Sequence, residues 1–144
     1  MLYRLLRLDE HSELGLSAKR PLSDVSVFDH IINGSNHNFD SKYISTFGSL
    51  NAMLNFRSTT FNPDAQMVQI CEDNLPVDEK IDLRTSEIRS HYYNLDDPQF
   101  PNGSINKFNN YAKKLEIVLL VGNVPTTHIN LLSEADLVPI RLPT

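Results

Sequence analysis

The sequence has no excess of positive charge. Among its 144 residues, 18 are Asp or Glu and 13 are Lys or Arg, which gives a formal net charge of −5. A general nucleic-acid binder usually carries a basic field over its surface, so this balance lowers the expectation of one. An enzyme with a local basic groove remains compatible with the composition.

Cysteine, glycine and long apolar runs are also scarce. The single cysteine, Cys71, excludes an internal disulfide and predicts a core thiol in a reducing compartment. The five His and this Cys show no zinc-ligand spacing, so we expect no metal. The five Gly form neither a P-loop nor a dinucleotide fingerprint. With no signal peptide and no run of membrane-spanning length, the sequence predicts a cytoplasmic protein without a membrane partner.

The length predicts one domain that spans residues 1–144. A hydrophobic fraction of 40% and a charged fraction of 22% are typical of a globular chain that buries its own core. Short strand-like and helix-like segments alternate without an internal repeat, which predicts an α+β fold.

The predicted elements follow from hydrophobic period and turn residues. Strands are predicted over 2–8, 43–46, 66–72, 81–83, 117–120 and 137–140, the last as an edge strand because of Pro139; helices are predicted through 27–32, 50–56, 86–92 and 104–113, with one helical turn at 126–129; polar loops are predicted over 9–21, 36–41, 58–65 and 94–103.

A single acid, Glu116, precedes the most apolar stretch of the chain. Ile117 and Val118 are β-branched and Gly122 closes the run, so the stretch is typical of a buried strand. A carboxylate at the mouth of such a strand is held in position but incompletely solvated, which favours a chemical role. An ordinary strand-end charge is the alternative interpretation.

Three further polar side chains occur next to predicted apolar segments. Arg4 points to the same face of the first strand as Leu2, and an inward Arg needs an anion or a carboxylate beside it. Ser45 and Thr46 lie where a strand gives way to a helix, so their hydroxyls bind a ligand or cap that helix. His30 lies on a predicted helix, where a lone His is more often structural than catalytic.

In their order along the chain, three segments resemble the ADP-ribosyltransferase superfamily in its Arg, Ser-Thr-Ser, Glu form. Leu2-Tyr3-Arg4 is similar to the first-strand motif, and Ser45-Thr46 matches two of the three hydroxyls in a step that runs from Tyr43 to Ala52. Glu116 resembles the final motif. The tail from Gly122 to Ile129 is similar to that of the DNA-base ADP-ribosyltransferase toxins and small toxin-like relatives.

This resemblance implies a split β-sandwich of the ADP-ribosyltransferase type and an enzyme that uses NAD as a substrate, without a metal. Such an enzyme transfers ADP-ribose to a macromolecular acceptor, either nucleic acid or protein. The resemblance also implies a toxin of a bacterial toxin–antitoxin or defence system, with a neutralising antitoxin protein as a partner.

The resemblance further assigns residue roles. Glu116 would stabilise the oxocarbenium-like transition state through the ribose 2′-hydroxyl. Arg4 would bind the pyrophosphate, with Arg7 as the alternative if the strand register is shifted. Ser45 would hold the ribose or orient Glu116, and Thr46 would support the turn at the cofactor. The candidates for an aromatic ring over the nicotinamide are Tyr43, Phe47 and Phe56.

Two positions depart from the family pattern and keep other hypotheses open. Phe47 replaces the third Ser, and Lys114 stands two residues before the Glu, where arginine-modifying members have Glu or Gln. These departures argue against an arginine acceptor. They also favour a second hypothesis, a non-catalytic module that binds NAD or ADP-ribose. A 2′-phosphotransferase-like enzyme acting on RNA ranks lower, because its basic and His motifs are not evident.

Overall fold

The computed structural model describes residues 1–33, 41–59, 64–93 and 104–141, with side chains up to residue 137. These residues form a mixed α and β structure with six strands and five helices. The strands are β1 (Leu2–Leu5), β2 (Tyr43–Phe47), β3 (Met67–Ile70), β4 (Glu79–Asp82), β5 (Ile117–Val121) and β6 (Ile129–Leu132); the helices are α1 (Val27–Asn33), α2 (Leu50–Ser58), α3 (Ser86–Ser90), α4 (Ser104–Lys114) and α5 (Glu134–Arg141); single 3₁₀ turns cover Ser12–Leu14 and Thr126–His128.

The six strands form one antiparallel sheet in the order β4-β5-β2-β1-β3-β6. Its central joint is its weakest. β2 and β5 are paired over five residues and β1 and β3 over four, whereas β1 and β2 share only the pair Tyr3 and Phe47. The sheet therefore consists of two well-paired halves that separate beyond this one contact.

Apolar side chains cover both faces of the sheet, because alternate residues of each strand point to opposite sides. One face carries a core built on Leu2, Ile44 and Val68. The other face carries two separate clusters. The first lies under α1 and α4 around Phe28 and Phe108, and the second lies under α2 and α5 around Met53. The gap between these two clusters leaves room for a cavity over β2.

Most predicted elements near the motifs are confirmed. Helices α1, α2 and α4 and strands β2 and β5 lie where the periodicity places them, with ends shifted by one or two residues. Helix α2 begins after Ser49 because the Ser49 hydroxyl accepts a hydrogen bond from the backbone N–H of Ala52. The inward position of Arg4 is also confirmed, since the residue is only 8% exposed.

The predicted strand over 137–140 is wrong, because helix α5 covers it. Ser133 donates both its backbone N–H and its hydroxyl to the Asp136 carboxylate, so the two residues close the first turn of a helix. The prediction read Pro139 as a strand-edge signal and missed this pair. Strand β6 is also absent from the predicted elements; its four residues include Asn130 and are all at least partly exposed.

The strand predicted over 2–8 is too long. Strand β1 ends at Leu5, and Leu8, within the predicted range, is 89% exposed. Strand β4 begins at Glu79, two residues earlier than predicted. The predicted loop segments over 36–40, 60–63 and 94–103, including the acidic pair Asp96-Asp97, lie outside the described residues.

Strand β5 is the first element whose packing we would test. Leu119 is fully buried in the cluster under α1 and α4. We expect Leu119→Ala to lower the free energy of unfolding by about 2–5 kcal/mol, because it removes buried methyl groups and leaves a cavity. Urea titration followed by circular dichroism measures this. The matched control is Leu22→Ala at a 98% exposed site, which should change stability by less than about 0.5 kcal/mol. Equal effects of the two variants would contradict the assigned core.

Candidate functional site

A cavity of about 420 Å³ lies over β2, in the gap between the two apolar clusters. Its volume is within the usual range for small-molecule sites. Three of its lining residues are cationic, and none of those that the structure describes is acidic. The lining comprises Arg4, Leu5, Arg7, Lys19, His30, Ile31, Ser41, Tyr43, Ser45, Thr46, Phe47, Phe56, Tyr111, Leu115 and Ile117.

The Arg4 side chain lies where β1 and β2 separate. Its Nη1 donates to the backbone carbonyl of Ser45 at 2.6 Å. Ser45 lies two residues before Phe47, whose pairing with Tyr3 joins β1 to β2, so Arg4 supplies a donor where these two strands are no longer paired. Its Nε and Nη2 donate to the two carboxylate oxygens of Glu10 at 3.2 and 3.0 Å. The predicted need of Arg4 for an anion or a carboxylate is thus met by Glu10. Glu10 also accepts the backbone N–H of Arg7 at 2.8 Å.

The guanidinium of Arg4 keeps binding capacity toward the cavity. A guanidinium carries five N–H donors, and three of them serve Glu10 and Ser45, so two remain. Arg7 also lines the cavity and donates from Nε to Asp9 at 3.0 Å. Both arginines considered as pyrophosphate ligands therefore reach the same space.

His30 connects two serine hydroxyls at the cavity. Its Nε2 lies 2.6 Å from Ser45 Oγ, and its Nδ1 lies 2.6 Å from Ser41 Oγ. Burial, together with the nearby charge of Arg4, lowers the pKa of His30 to about 4. The imidazole is therefore neutral at pH 7, with one ring nitrogen donating and the other accepting. The Ser45 hydroxyl is oriented by this ring.

Glu116 lies beside the cavity, between two lining residues. Leu115 and Ile117 both line the space, whereas the Glu116 carboxylate accepts a 2.6 Å hydrogen bond from Ser49 Oγ. Glu116 has a left-handed backbone (φ 48°), and its carbonyl accepts from Gly48 N–H at 2.6 Å. This sharp turn carries the chain from α4 into β5 at the carboxylate. The group that orients Glu116 is thus Ser49 rather than Ser45.

Aromatic rings also line the cavity. Phe47 and Phe56 contact each other with their centroids 5.4 Å apart, and the Tyr43 ring meets His30 edge-on at the same distance. Thr46 is buried and donates its hydroxyl to the Val118 carbonyl at 2.6 Å, so it joins β2 to β5.

Five predicted site residues line the cavity, namely Arg4, Tyr43, Ser45, Thr46 and Phe56, whereas Glu116 does not. Four residues that the sequence reasoning missed, Glu10, His30, Ser41 and Ser49, are hydrogen-bonded to these residues or to one another. Glu10 and Ser41 carry no recognisable pattern in the sequence. His30 was interpreted as structural, and no sequence signal showed its two hydroxyl partners. Ser49 was recognisable as a helix cap, which was a usable signal, but its second bond to Glu116 spans 67 residues of chain.

Comparison with protein-family models, with curated proteins and with solved structures found no match to this chain. The described helices are all too short or too polar to cross a membrane. No group of three or more His, Cys, Asp or Glu in the described part of the chain is placed to hold a metal ion. The resemblance to ADP-ribosyltransferases therefore stays a prediction, and the site geometry is the basis for any functional argument.

The buried His30 predicts a specific pH dependence of stability. Its pKa is about 4 in the folded state, below the usual 6.5, so between these values the unfolded chain binds more protons. Stability is unaffected by His30 above pH 6.5 and falls as the pH drops toward 4, by about 3 kcal/mol in total. Urea titrations at several pH values between 7 and 4 measure this slope.

His30→Asn should flatten the slope in this window, whatever its effect on stability at pH 7. The exposed His91 provides the control, since His91→Asn should leave the slope unchanged. Carboxylates whose pKa is lowered, such as Asp9 and Asp82, contribute equally in all three proteins. An unchanged slope in His30→Asn would contradict a buried neutral imidazole.

Proposed function

We propose that this chain is an NAD-dependent ADP-ribosyltransferase with the split β-sandwich fold of that superfamily. The observation that carries the proposal is the cavity, which is cationic and aromatic and adjoins a positioned carboxylate, in a chain whose net charge is −5.

The cationic side of the cavity suits an anionic ligand. Arg4, Arg7 and Lys19 line it, and none of the described lining residues is acidic. The charge of the lining is therefore opposite in sign to the net charge of the chain. A pyrophosphate needs fixed donors of this kind, and a guanidinium can engage two phosphate oxygens at once. The two unused donors of Arg4 supply such a contact without breaking its pair with Glu10.

The aromatic side suits a flat heterocycle. Phe47 and Phe56 contact each other and form an aromatic part of the cavity lining, to which the apolar side chains of Leu5 and Ile117 also belong. Stacked or tilted ring contacts add about 0.5–1.5 kcal/mol to simple burial. We assign this part of the cavity to the nicotinamide ring of NAD.

The Glu116 carboxylate takes the chemical role. In the transfer step, the bond between the ribose C1′ and nicotinamide breaks, and its electron pair leaves with nicotinamide. Positive charge develops on the ribose, and a carboxylate that accepts a hydrogen bond from the 2′-hydroxyl stabilises it. Ser49 holds the Glu116 carboxylate through a 2.6 Å hydrogen bond, and the two residues that flank Glu116 in the chain, Leu115 and Ile117, line the cavity. A nucleophile of the acceptor then bonds to C1′ and loses its proton.

The sheet joint supports the fold part of the proposal. β1 and β2 share one residue pair, and Arg4 fills the space beyond it. A split of this kind opens the sheet where a ligand would bind.

The engaged state of Arg4 favours a second candidate, a binding module without catalysis. Glu10 neutralises the Arg4 guanidinium, and the carbonyl of Ser45 occupies a third donor. In that case NAD or ADP-ribose binds in the cavity, but no nicotinamide is released.

Release of nicotinamide from NAD tests the proposal. We expect release by the purified protein with cell extract as a source of acceptor, and a loss of about 10²–10³ in rate for Glu116→Gln, since the variant removes a preorganised charge. Glu13→Gln, at an exposed acid in the 3₁₀ turn, is the control and should keep the full rate. Calorimetric binding of NAD is measured in parallel.

The outcomes separate the two candidates. Release that disappears only in Glu116→Gln supports the transferase. NAD binding without release by the wild-type protein supports the binding module instead. If neither binding nor release occurs, both proposals fail.

Growth of a bacterial host tests the toxin part of the proposal. Expression of the wild-type chain should arrest growth, because modification of an essential macromolecule does not need a stoichiometric complex. Glu116→Gln should restore growth and Glu13→Gln should not, at matched protein levels on an immunoblot. Relief by the product of a neighbouring gene would identify the neutralising partner. Equal arrest by wild type and Glu116→Gln would exclude a catalytic toxin.

A further inference from the structure

The two edge strands of the sheet differ in charge. Strand β4 contains Glu79, Lys80 and Asp82 among its four residues, whereas β6 contains no charged residue. Charged side chains on an edge strand normally prevent it from pairing with another chain. Of these two edges, β6 therefore lacks that protection, and the stretch without Asp, Glu, Lys or Arg extends over residues 126–133.

The hydrogen bonds between β3 and β6 fix which backbone groups of β6 point away from the sheet. Cys71 N–H donates to the His128 carbonyl at 2.9 Å, and Ile70 lies opposite Ile129 in the register. In an antiparallel pair, residues bonded to the neighbouring strand alternate with residues that are not. The even-numbered residues of β6 therefore bond to β3, while Ile129 and Leu131 direct their N–H and C=O groups to the open side.

Leu131 presents both of its backbone groups at this edge. The Ile129 N–H is already donated to the Thr126 carbonyl, where it ends the 3₁₀ turn. For Leu131, no described residue forms a hydrogen bond with the outward N–H or C=O. The residue is also 55% exposed. Leu131 thus offers one donor, one acceptor and an apolar side chain within a neutral edge.

We propose that β6 pairs with β6 of a second copy of this chain, in antiparallel orientation, with Leu131 opposite the partner's Leu131. A residue that directs both its N–H and its C=O outward is its own complement under a two-fold axis. Each Leu131 therefore donates to the other and accepts from it. The two leucine side chains lie next to each other on one face of the joined sheet.

The engaged N–H of Ile129 selects this register. If Ile129 lay opposite the partner's Leu131, the Leu131 carbonyl would face an N–H that already serves Thr126. With Leu131 opposite itself, both of its groups are satisfied and the 3₁₀ turn stays intact.

The charge of the edge is compatible with pairing between two acidic copies. Each copy carries a formal net charge of −5, which opposes association through most of the surface. Residues 126–133 include no Asp, Glu, Lys or Arg, so pairing along them brings no like charges together. A foreign strand needs a free donor and acceptor at the matching position, whereas a second copy supplies both by symmetry.

The dimer joins two six-stranded sheets and leaves both candidate cavities on the same side, because a two-fold axis perpendicular to the sheet does not exchange its faces. A four-residue strand buries much less than the roughly 1,200–2,000 Å² of a standard interface, so we expect a dissociation constant on the order of 10⁻⁴ M. None of this depends on the proposed function, since no step involves NAD.

Sedimentation velocity of the full chain between about 10 µM and 1 mM measures the self-association, without NAD. We expect the wild-type sedimentation coefficient to rise toward that of a dimer. Leu131→Lys should remain a monomer, because it places two like charges opposite each other. An equimolar mixture of Leu131→Lys and Leu131→Glu should regain the association, since opposite charges then face each other. Leu22→Lys, at a 98% exposed site outside the edge, is the matched control and should associate as the wild type does.

Amide exchange with water, followed by NMR, gives a readout that needs no variant. The Leu131 N–H should exchange about threefold more slowly at about 1 mM than at about 50 µM, because a larger fraction is paired. The Lys80 N–H is the internal control. Leu83 N–H bonds to the Ile117 carbonyl, so by the same alternation Lys80 points outward on the opposite edge, and its exchange should not change.

Four outcomes would overturn the proposal. They are a wild-type monomer at every concentration, undiminished association of Leu131→Lys, equal loss of association in Leu22→Lys, and exchange at Leu131 that does not depend on protein concentration.

Discussion

The ion pair between Arg4 and Glu10 is the interaction on which the site depends. It places a guanidinium between two strands that share one residue pair, and it supplies a donor to the Ser45 carbonyl. Removing one partner of such a buried pair costs about 3–5 kcal/mol, since the other charge is left without compensation. The pair lies where β1 and β2 separate, and Arg4 also lines the cavity.

Two further constraints place chemistry around that space. The left-handed turn at Glu116 connects the end of α4 to the start of β5. The last two lysines of α4, the Glu116 carboxylate and the first buried residue of β5 therefore lie within five positions of the chain. Ser49 caps α2 and holds the Glu116 carboxylate with the same hydroxyl. The Ser49 side chain thereby connects the start of α2 to the residue that precedes β5.

The charge distribution explains how an acidic chain serves anionic ligands. Cations line the cavity and the exposed side of α4, while other carboxylates are engaged in pairs, as Asp82 is with Arg84 and Glu72 with Lys80. The neutral state of His30 belongs to the same pattern, because the charge of Arg4 adds to burial in opposing its protonation. Local arrangement, rather than net charge, sets the potential at the site.

The sequence by itself determined the elements with a strong period, such as α1, α4 and β5, and the inward direction of Arg4, because period and burial are local properties. It misjudged α5 and β6, where capping and edge pairing outweigh the apolar pattern. Tertiary structure alone decided that Glu10 pairs with Arg4, that His30 joins Ser41 to Ser45, and that Ser49 holds Glu116. These contacts join residues that are 6 to 67 positions apart, and no local pattern encodes which side chains the folded sheet brings together.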